Sequence, residues 1–333
     1  MKTMKKTLIL TALLLMTFVT VASNNRDGGW RYKFEEQKTV EQTFDVGALP
    51  QLEMKGVHSD FIITTWDEPQ IDFKVKIVVK SDKEKIVKYL MDIINVEFFQ
   101  EGDLVKAKTV FENKTNRSFN ASVSIKYYVK VPEDVRMDLE TRYGDIIVET
   151  VKKDFKAEVR YGSLTAGNLL ADNEIEIKYG GLNVEYAKNI NLDMSYSDCK
   201  INKTEFIDAE IGYSNFTATD IFRGVFENQY SNIRIGKIKE LKAENKYSDM
   251  RAALDTDKPN VDIDAEYSNI KLKINENASF RYDISVSYGD IVCGEVMKSN
   301  VGRTSDGRIV GSRGDEPSGS IRAKLEYGDF RIE

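Results

Sequence analysis

Eight acidic residues, Glu140, Glu158, Glu176, Asp193, Glu210, Glu227, Glu244 and Asp264, each stand three positions before a tyrosine. If each tyrosine marks one coil of a stacked fold, with strands about 4.8 Å apart, the eight form one outward column of carboxylates. Neighbouring like charges at that spacing repel by roughly 1 kcal/mol in water, and by more where water is excluded. Arg142, Arg160, Lys178 and Lys246, one position before their tyrosines, can offset part of this, but Ser195, Gly212 and Gln229 leave the middle uncompensated. Hard carboxylate oxygens on adjacent rungs can share a calcium ion at about 2.3–2.6 Å, which makes Asp193, Glu210 and Glu227 the candidate metal ligands. The alternative is a solvated, salt-laced face that keeps the stack soluble.

Other reactive residue types are sparse. The single histidine, His58, fits a coil corner as readily as a ligand or a base. Cys199 and Cys293 occupy slots that are apolar in the other copies, and five coils would hold them roughly 24 Å apart at about 4.8 Å per strand. A disulfide needs Cα atoms within about 7 Å, so two free thiols are predicted. There is no cluster of metal-ligating His and Cys, no Gly-x-Ser-x-Gly elbow and no phosphate-binding loop. Arg313-Gly314-Asp315 and the sequons at Asn113 and Asn202 are short enough to arise by chance.

The tyrosines position everything else. Tyr143, Tyr161, Tyr179, Tyr196, Tyr213, Tyr230, Tyr247, Tyr267, Tyr288 and Tyr327 each precede Gly or Ser, then a small or polar residue, then an apolar one. A period near 20 residues marks a repeat architecture whose units bury apolar surface against their neighbours. With the tyrosine as position zero, positions +3 and +5 are apolar or small in every copy, and −2 and −4 are mostly so. Period-two alternation means strands. The parity changes across the tyrosine, so the chain turns there, and Gly or Ser at +1 with Asp or Asn at +2 are the residues that tolerate such a corner. Each coil is therefore strand, corner, strand and a looser return. So short a coil has no room for a crossover helix beside two strands, so like strands must stack in parallel, as in a β-helix.

Residues 1–22 read as a signal peptide, with Lys2, Lys5 and Lys6 before an apolar run from Leu8 to Val19. A leader segment (23–38) follows, then irregular N-terminal coils over 39–135 and regular repeats over 136–333. His58 takes the tyrosine place in a degenerate first coil, and the interval to Tyr143 has room for several more. Ser81-Asp82-Lys83-Glu84 before Ile86, Val87, Leu90, Ile93 and Ile94 predicts one capped helix near 82–95, suited to covering an open end of the stack. A glycine-rich loop is expected at about 298–318. Formal charge is 48 − 54 = −6, about −9 once the three leader lysines are gone. The two signs are interspersed, which argues against a nucleic-acid partner, and no second apolar run could span a membrane after leader removal.

Tyr128-Val129-Lys130-Val131-Pro132, Leu139, the Tyr143-Gly144-Asp145-Ile146 corner and its successors, and the terminal Tyr327-Gly328-Asp329-Phe330-Arg331-Ile332 resemble the bacterial auto-transporter adhesin head domains. These are also called GIN domains, and have adhesin-like relatives of unknown function. The resemblance covers residue 40 or so to the end. It implies an all-β, right-handed single-stranded parallel β-helix in the bacterial cell envelope (periplasm, outer-membrane surface or outside the cell). It brings no catalytic residues and no cofactor. The expectation is a non-enzymatic adhesin-like protein whose long faces bind a surface polymer or a protein partner. A polysaccharide lyase-like enzyme on the same scaffold is the alternative.

Overall fold

The computed structural model describes residues 17–20, 32–112, 119–294, 297, 303–305 and 307–333. The segment expected to be a signal peptide, residues 1–22, lies outside them apart from Thr17–Thr20, which pair antiparallel with the strand Phe34–Asp45. What the remainder forms is an all-β solenoid with one helix, Glu84–Ile93. From Tyr143 to Tyr267 each rung lies on the next through parallel, in-register pairing.

No loose return exists in the central coils. Gly181–Ser195 is a single strand running from one tyrosine corner to the next. Its inward residues are Leu182, Val184, Ala187, Ile190, Leu192 and Met194, so the period of two is broken by two steps of three. Those steps bend the strand into three straight segments around one apolar core. The +3 and +5 residues are all buried except Ile291 and Cys293, half-buried in the outermost rung. Cys199 and Cys293 are both free thiols, and burial pushes the Cys199 thiol well above its ordinary value.

The tyrosine itself makes the corner. All ten have φ between +51° and +61°, and His58 has +55°. This corrects the expectation that Gly or Ser and Asp or Asn supply the turn. A left-handed non-glycine residue costs about 1–2 kcal/mol, and the neighbouring rung compensates. The Tyr213 N–H donates to Gln229 O at 2.9 Å, and Tyr143, Tyr161 and Tyr230 repeat the bond one rung along. The +1 residue answers a different need. A Cβ on Gly162 or Gly180 would lie 2.0 Å or 1.7 Å from the carbonyl oxygen of the glycine one rung away. In the middle of the stack serine replaces it, and its hydroxyl links neighbouring rungs. Ser231 Oγ accepts the Ser214 N–H at 3.2 Å and donates to Gln229 O at 2.8 Å, and Ser197, Ser214 and Ser248 do likewise.

Rung order in space differs from chain order at both ends. The His58 rung pairs directly with the Tyr143 rung, Leu52 opposite Met137 and Phe61 opposite Ile146, so no further coil stands between them. The residues between build the outermost rung instead, Leu104–Phe111 against Gln51–Val57 and Ala121–Pro132 against Ser59–Trp66. Its outer edges are taken by the antiparallel strands Ile94–Glu101 and Gln70–Ser81. At the other end Gly319–Glu326 inserts between Asn260–Glu266 and Phe280–Ser287. Part of the loop expected at 298–318 is a strand: the alternating Arg308–Arg313 pairs antiparallel along Phe280–Ser285 and completes that edge.

The helix packs on Phe34–Asp45 and Gln70–Ser81, with Val87, Leu90 and Met91 buried. The expected side-chain cap is absent: Lys83 is the N-cap residue and makes no such bond. The helix is instead held at its far end, where the buried Lys38 Nζ donates to Met91 O at 2.9 Å and also to Ile94 O. Lone carbonyls at a helix C-terminus are the groups that need such a donor.

Candidate functional site

The corners place eleven aromatic rings in one line. His58, Tyr143, Tyr161, Tyr179, Tyr196, Tyr213, Tyr230, Tyr247, Tyr267, Tyr327 and Tyr288 stack in that order. Centroids are 4.7–5.1 Å apart and planes within 2–18°. Parallel rungs impose this spacing, and offset stacking contributes about 0.5–1.5 kcal/mol per pair beyond burial. The ladder is not core, since every tyrosine in it is between 40% and 75% exposed. Crowding by neighbouring rings, then the charges of Tyr327, Tyr247, Glu266 and Glu326, push the Tyr267 phenol above its ordinary range.

On one side of the ladder the +2 residues form a hydrogen-bonded column. Asn215 Nδ2 donates to Asp198 Oδ1 at 2.9 Å, Asn232 Nδ2 to Asn215 Oδ1 at 3.1 Å, and Asn269 Nδ2 to Asp249 Oδ1 at 3.0 Å. On the other side lie the carboxylates. Glu140, Glu158, Glu176, Asp193, Glu210, Glu227, Glu244 and Asp264 are direct partners on successive strands. Lys55 continues the column beyond Glu140 and Lys324 beyond Asp264, so a cation closes each end. Lys55 Nζ lies 2.6 Å from Glu140.

The −1 residues stand between ladder and column. Arg142 lies over Tyr143 and Tyr161, 5.1 Å and 5.9 Å from their centroids. Arg160 reaches Glu158 at 2.6 Å and Glu176 at 3.6 Å, and Lys178 reaches Glu176 at 2.6 Å and Asp193 at 3.9 Å. Each of these two cations thus bridges carboxylates of two rungs. The Lys178 ammonium, with Arg160 behind it, holds the Glu176 carboxyl below its usual range. Over the next three rungs the −1 residues are Ser195, Gly212 and Gln229, and no lysine or arginine occurs within 191–195, 208–212 or 225–229.

Asp193, Glu210 and Glu227 therefore share one column, but among the described residues no three His, Cys, Asp or Glu side chains converge where a metal ion could be held. His58 takes the tyrosine role at the end of the ladder, stacked on Tyr143 and edge-on to Phe111. A groove of about 730 Å³ lies across the strands Phe34–Asp45, Gln70–Ser81 and Ala121–Pro132, lined among others by Glu41, Thr43, Asp72 and Lys74. Its polar groups pair with one another, Lys74 with Glu41 at 2.9 Å and Thr43 with Asp72 at 2.6 Å. The sequence does not disclose that −1 lies beside the ladder, which the position of Arg142 on two rings reveals.

Residues 119–333, the whole tyrosine repeat included, match the model of the family Toastrack DUF4097. The chain belongs to the Toastrack DUF4097 family. No curated protein matches this Toastrack chain. Solved structures similar to it include a "putative adhesin" from Parabacteroides distasonis, 10% identical, with 89% of this chain and 97% of that one covered and a TM-score of 0.43. A "putative adhesin" from Parabacteroides merdae is 10% identical over 89% and 96%, with a TM-score of 0.40. A "putative lipid binding protein" from Parabacteroides distasonis is 11% identical over 89% and 96%, with a TM-score of 0.38.

Proposed function

We propose that this Toastrack chain is a non-enzymatic, adhesin-like protein of the cell envelope that presents long repetitive faces to a surface polymer or a protein partner. The observation that carries the reading is the in-register repetition of outward side chains. An exposed aromatic ladder and a carboxylate column run side by side over eight rungs. A catalytic centre needs one locally distinct constellation, whereas a ladder offers the same contact many times and suits an extended ligand. The same reading takes residues 1–22 as a signal peptide removed on export, followed by a leader segment to residue 38. It takes 39–135 as irregular N-terminal coils with a capping helix and 136–333 as the regular repeats. The coil is taken as a right-handed single-stranded parallel β-helix, with kinship to the adhesin head (GIN) domains. No helix among the described residues is long and apolar enough to cross a membrane.

A glycan array paired with a reducing-sugar release assay tests the proposal. Binding without turnover is the expected result. Release of reducing ends at a rate proportional to protein would replace it with the lyase-like alternative.

A further inference from the structure

Resting on the reading of residues 1–22 as a leader removed on export, we propose that this removal vacates the outer edge of the strand Phe34–Asp45, which then pairs antiparallel with the same edge of a second copy. Two solenoids are joined head to head about a two-fold axis through Gln37. The strand is the last in a sheet that continues into the tyrosine rungs: Gln70–Ser81, Ala121–Pro132, Ser59–Trp66 and Ile146–Val151 follow it in order, each paired with the next. Among the described residues one strand lies on its other edge, Thr17–Thr20, with Thr17 opposite Thr39 and Thr20 opposite Glu36. The edge thus already accepts an antiparallel strand, and the strand it accepts belongs to the segment that export removes.

The backbone shows which groups the edge offers. The Val46 N–H donates to Pro69 O at 3.0 Å, continuing the register that sets Asp45 opposite Gln70. Even-numbered residues of the strand therefore turn their N–H and C=O towards Gln70–Ser81, and odd-numbered ones turn theirs to the outer edge. Gln100 Nε2 donates to Asp45 O at 2.6 Å and Gln42 Nε2 to Thr43 O at 3.2 Å, so those two carbonyls are occupied. Glu35, Gln37, Thr39 and Glu41 carry the outward groups that lose their strand with Thr17–Thr20. Such a row is a template for pairing with another chain.

The strand is complementary to itself, which selects a second copy as the occupant. An isologous pair puts one residue opposite itself. With Gln37 in that place, Lys33 comes opposite Glu41, Phe34 opposite Val40, Glu35 opposite Thr39 and Glu36 opposite Lys38. Opposite charges face each other across the strands, which favours the pairing, and Phe34, 39% exposed, gains an apolar neighbour. Odd-numbered residues also meet odd-numbered ones, so the outward backbone groups bond to one another. Moving the axis to Glu36 sets that carboxylate against itself. Moving it to Lys38 sets the lysine against itself and Glu35 against Glu41, and like charges directly opposite destabilise a sheet. An axis through Thr39 draws on the carbonyls of Thr43 and Asp45, which Gln42 and Gln100 already hold.

Analytical ultracentrifugation at micromolar concentration tests this. The chain beginning at Ser23 should sediment as a dimer, and the chain beginning at Met16, which keeps the covering strand, as a monomer. Thr39→Pro in the Ser23 chain removes one outward N–H, a change an edge strand tolerates, and should abolish the dimer. Thr43→Pro, on the same edge but beyond the pairing, should leave it intact. Glu41→Lys should weaken dimerisation about tenfold by turning an attractive cross-strand pair into a repulsive one, and Lys33→Glu added to it should restore the wild-type affinity. Circular dichroism melts confirm that each variant folds. A monomeric Ser23 chain, a dimeric Met16 chain, a dimer that survives Thr39→Pro or one lost equally in Thr43→Pro would each overturn the proposal. Mass spectrometry of the exported protein reports the leader separately. A retained leader overturns the proposal together with the signal-peptide reading, whereas a monomeric Ser23 chain leaves that reading and any glycan-array binding standing.

Discussion

Tyr267 stacks face to face on Tyr327 at 4.7 Å, although sixty residues of chain separate them. Tyr288, which lies between them in sequence, stacks on the far side of Tyr327 at 4.7 Å. The last rung of the sequence is thus held between two others. Asn260–Glu266 pairs with one edge of Gly319–Glu326 and Phe280–Ser287 with the other.

Removal of residues 319–333 should therefore do more than shorten the stack. It withdraws the strand that joins the Tyr288 rung to the body, and leaves the core residues Ile263, Ile284 and Val286 without their buried neighbours Ile321, Ala323 and Leu325. Hydrogen exchange should show protection lost in 291–293, whose partner strand Phe330–Ile332 is removed, and reduced in 280–287, while 143–230 stays protected, because each rung contacts only its neighbours. Full protection retained in 291–293 would mean that the Tyr288 rung can dock on the body without the last strands.

The corner conformation makes a second, sharper expectation. Tyr213 has φ +53° and stacks on Tyr196 and Tyr230 at 4.9 Å and 4.8 Å. Tyr213→Ala loses both contacts and keeps the left-handed strain, whereas Tyr213→Gly loses the same contacts and relieves it. In denaturant unfolding the glycine variant should be the more stable of the two by about 1 kcal/mol, with both below wild type. An alanine variant as stable as the glycine variant would mean that the corner relaxes when the ring is removed.

Legibility in the sequence followed the repeat. Each tyrosine carries its inward slots with it, so Ile201, Phe216 and Ile233 are readable as core without coordinates, and the carboxylate column follows from the same register. Spatial order at the ends is not readable, because Leu52 can pair as well with a distant Met137 as with a nearer strand, and only the filling of edges decides. The left-handed tyrosine was hidden for the opposite reason. A bulky residue is a poor choice for that conformation in isolation, and only eleven stacked rings make it worthwhile. Lys38 gave no signal either, since a lysine in a polar strand reads as solvated until the helix carbonyls above it are located.

Lys38 also gives the fold a pH dependence. Burial, opposed by Asp92 and Glu112, lowers its pKa from 10.5. The unfolded chain then holds that proton more tightly than the folded one, so the cost is full below the folded pKa and fades as pH rises towards 10.5. The neutral amine can still donate to Met91 O. Stability of wild type relative to Lys38→Met should therefore grow between pH 8 and pH 10.5, as read from urea unfolding at each pH. A constant difference over that interval would place the ammonium in water rather than under the helix.

The carboxylate column supplies the last test, because its two readings predict opposite signs. Asp193 has a distant partner in Lys178 at 3.9 Å, and Glu210 and Glu227 follow it with no cation on their −1 neighbours. If the three only repel one another, the variant combining Asp193→Asn, Glu210→Gln and Glu227→Gln should melt higher than wild type at 10 mM salt. The gain should be a few degrees, on the order of what about 1 kcal/mol produces in a protein of this size. It should shrink as salt shortens the screening length from about 30 Å at 0.01 M to about 3 Å at 1 M. If the carboxylates hold calcium instead, millimolar calcium should raise the melting temperature of wild type and leave that of the triple variant unmoved. Repulsion is the expected outcome, since neighbouring rungs of this chain already place Arg160 and Lys178 where a cation relieves it. A triple variant that melts lower than wild type at low salt, with calcium absent, would show the column to be attractive as it stands.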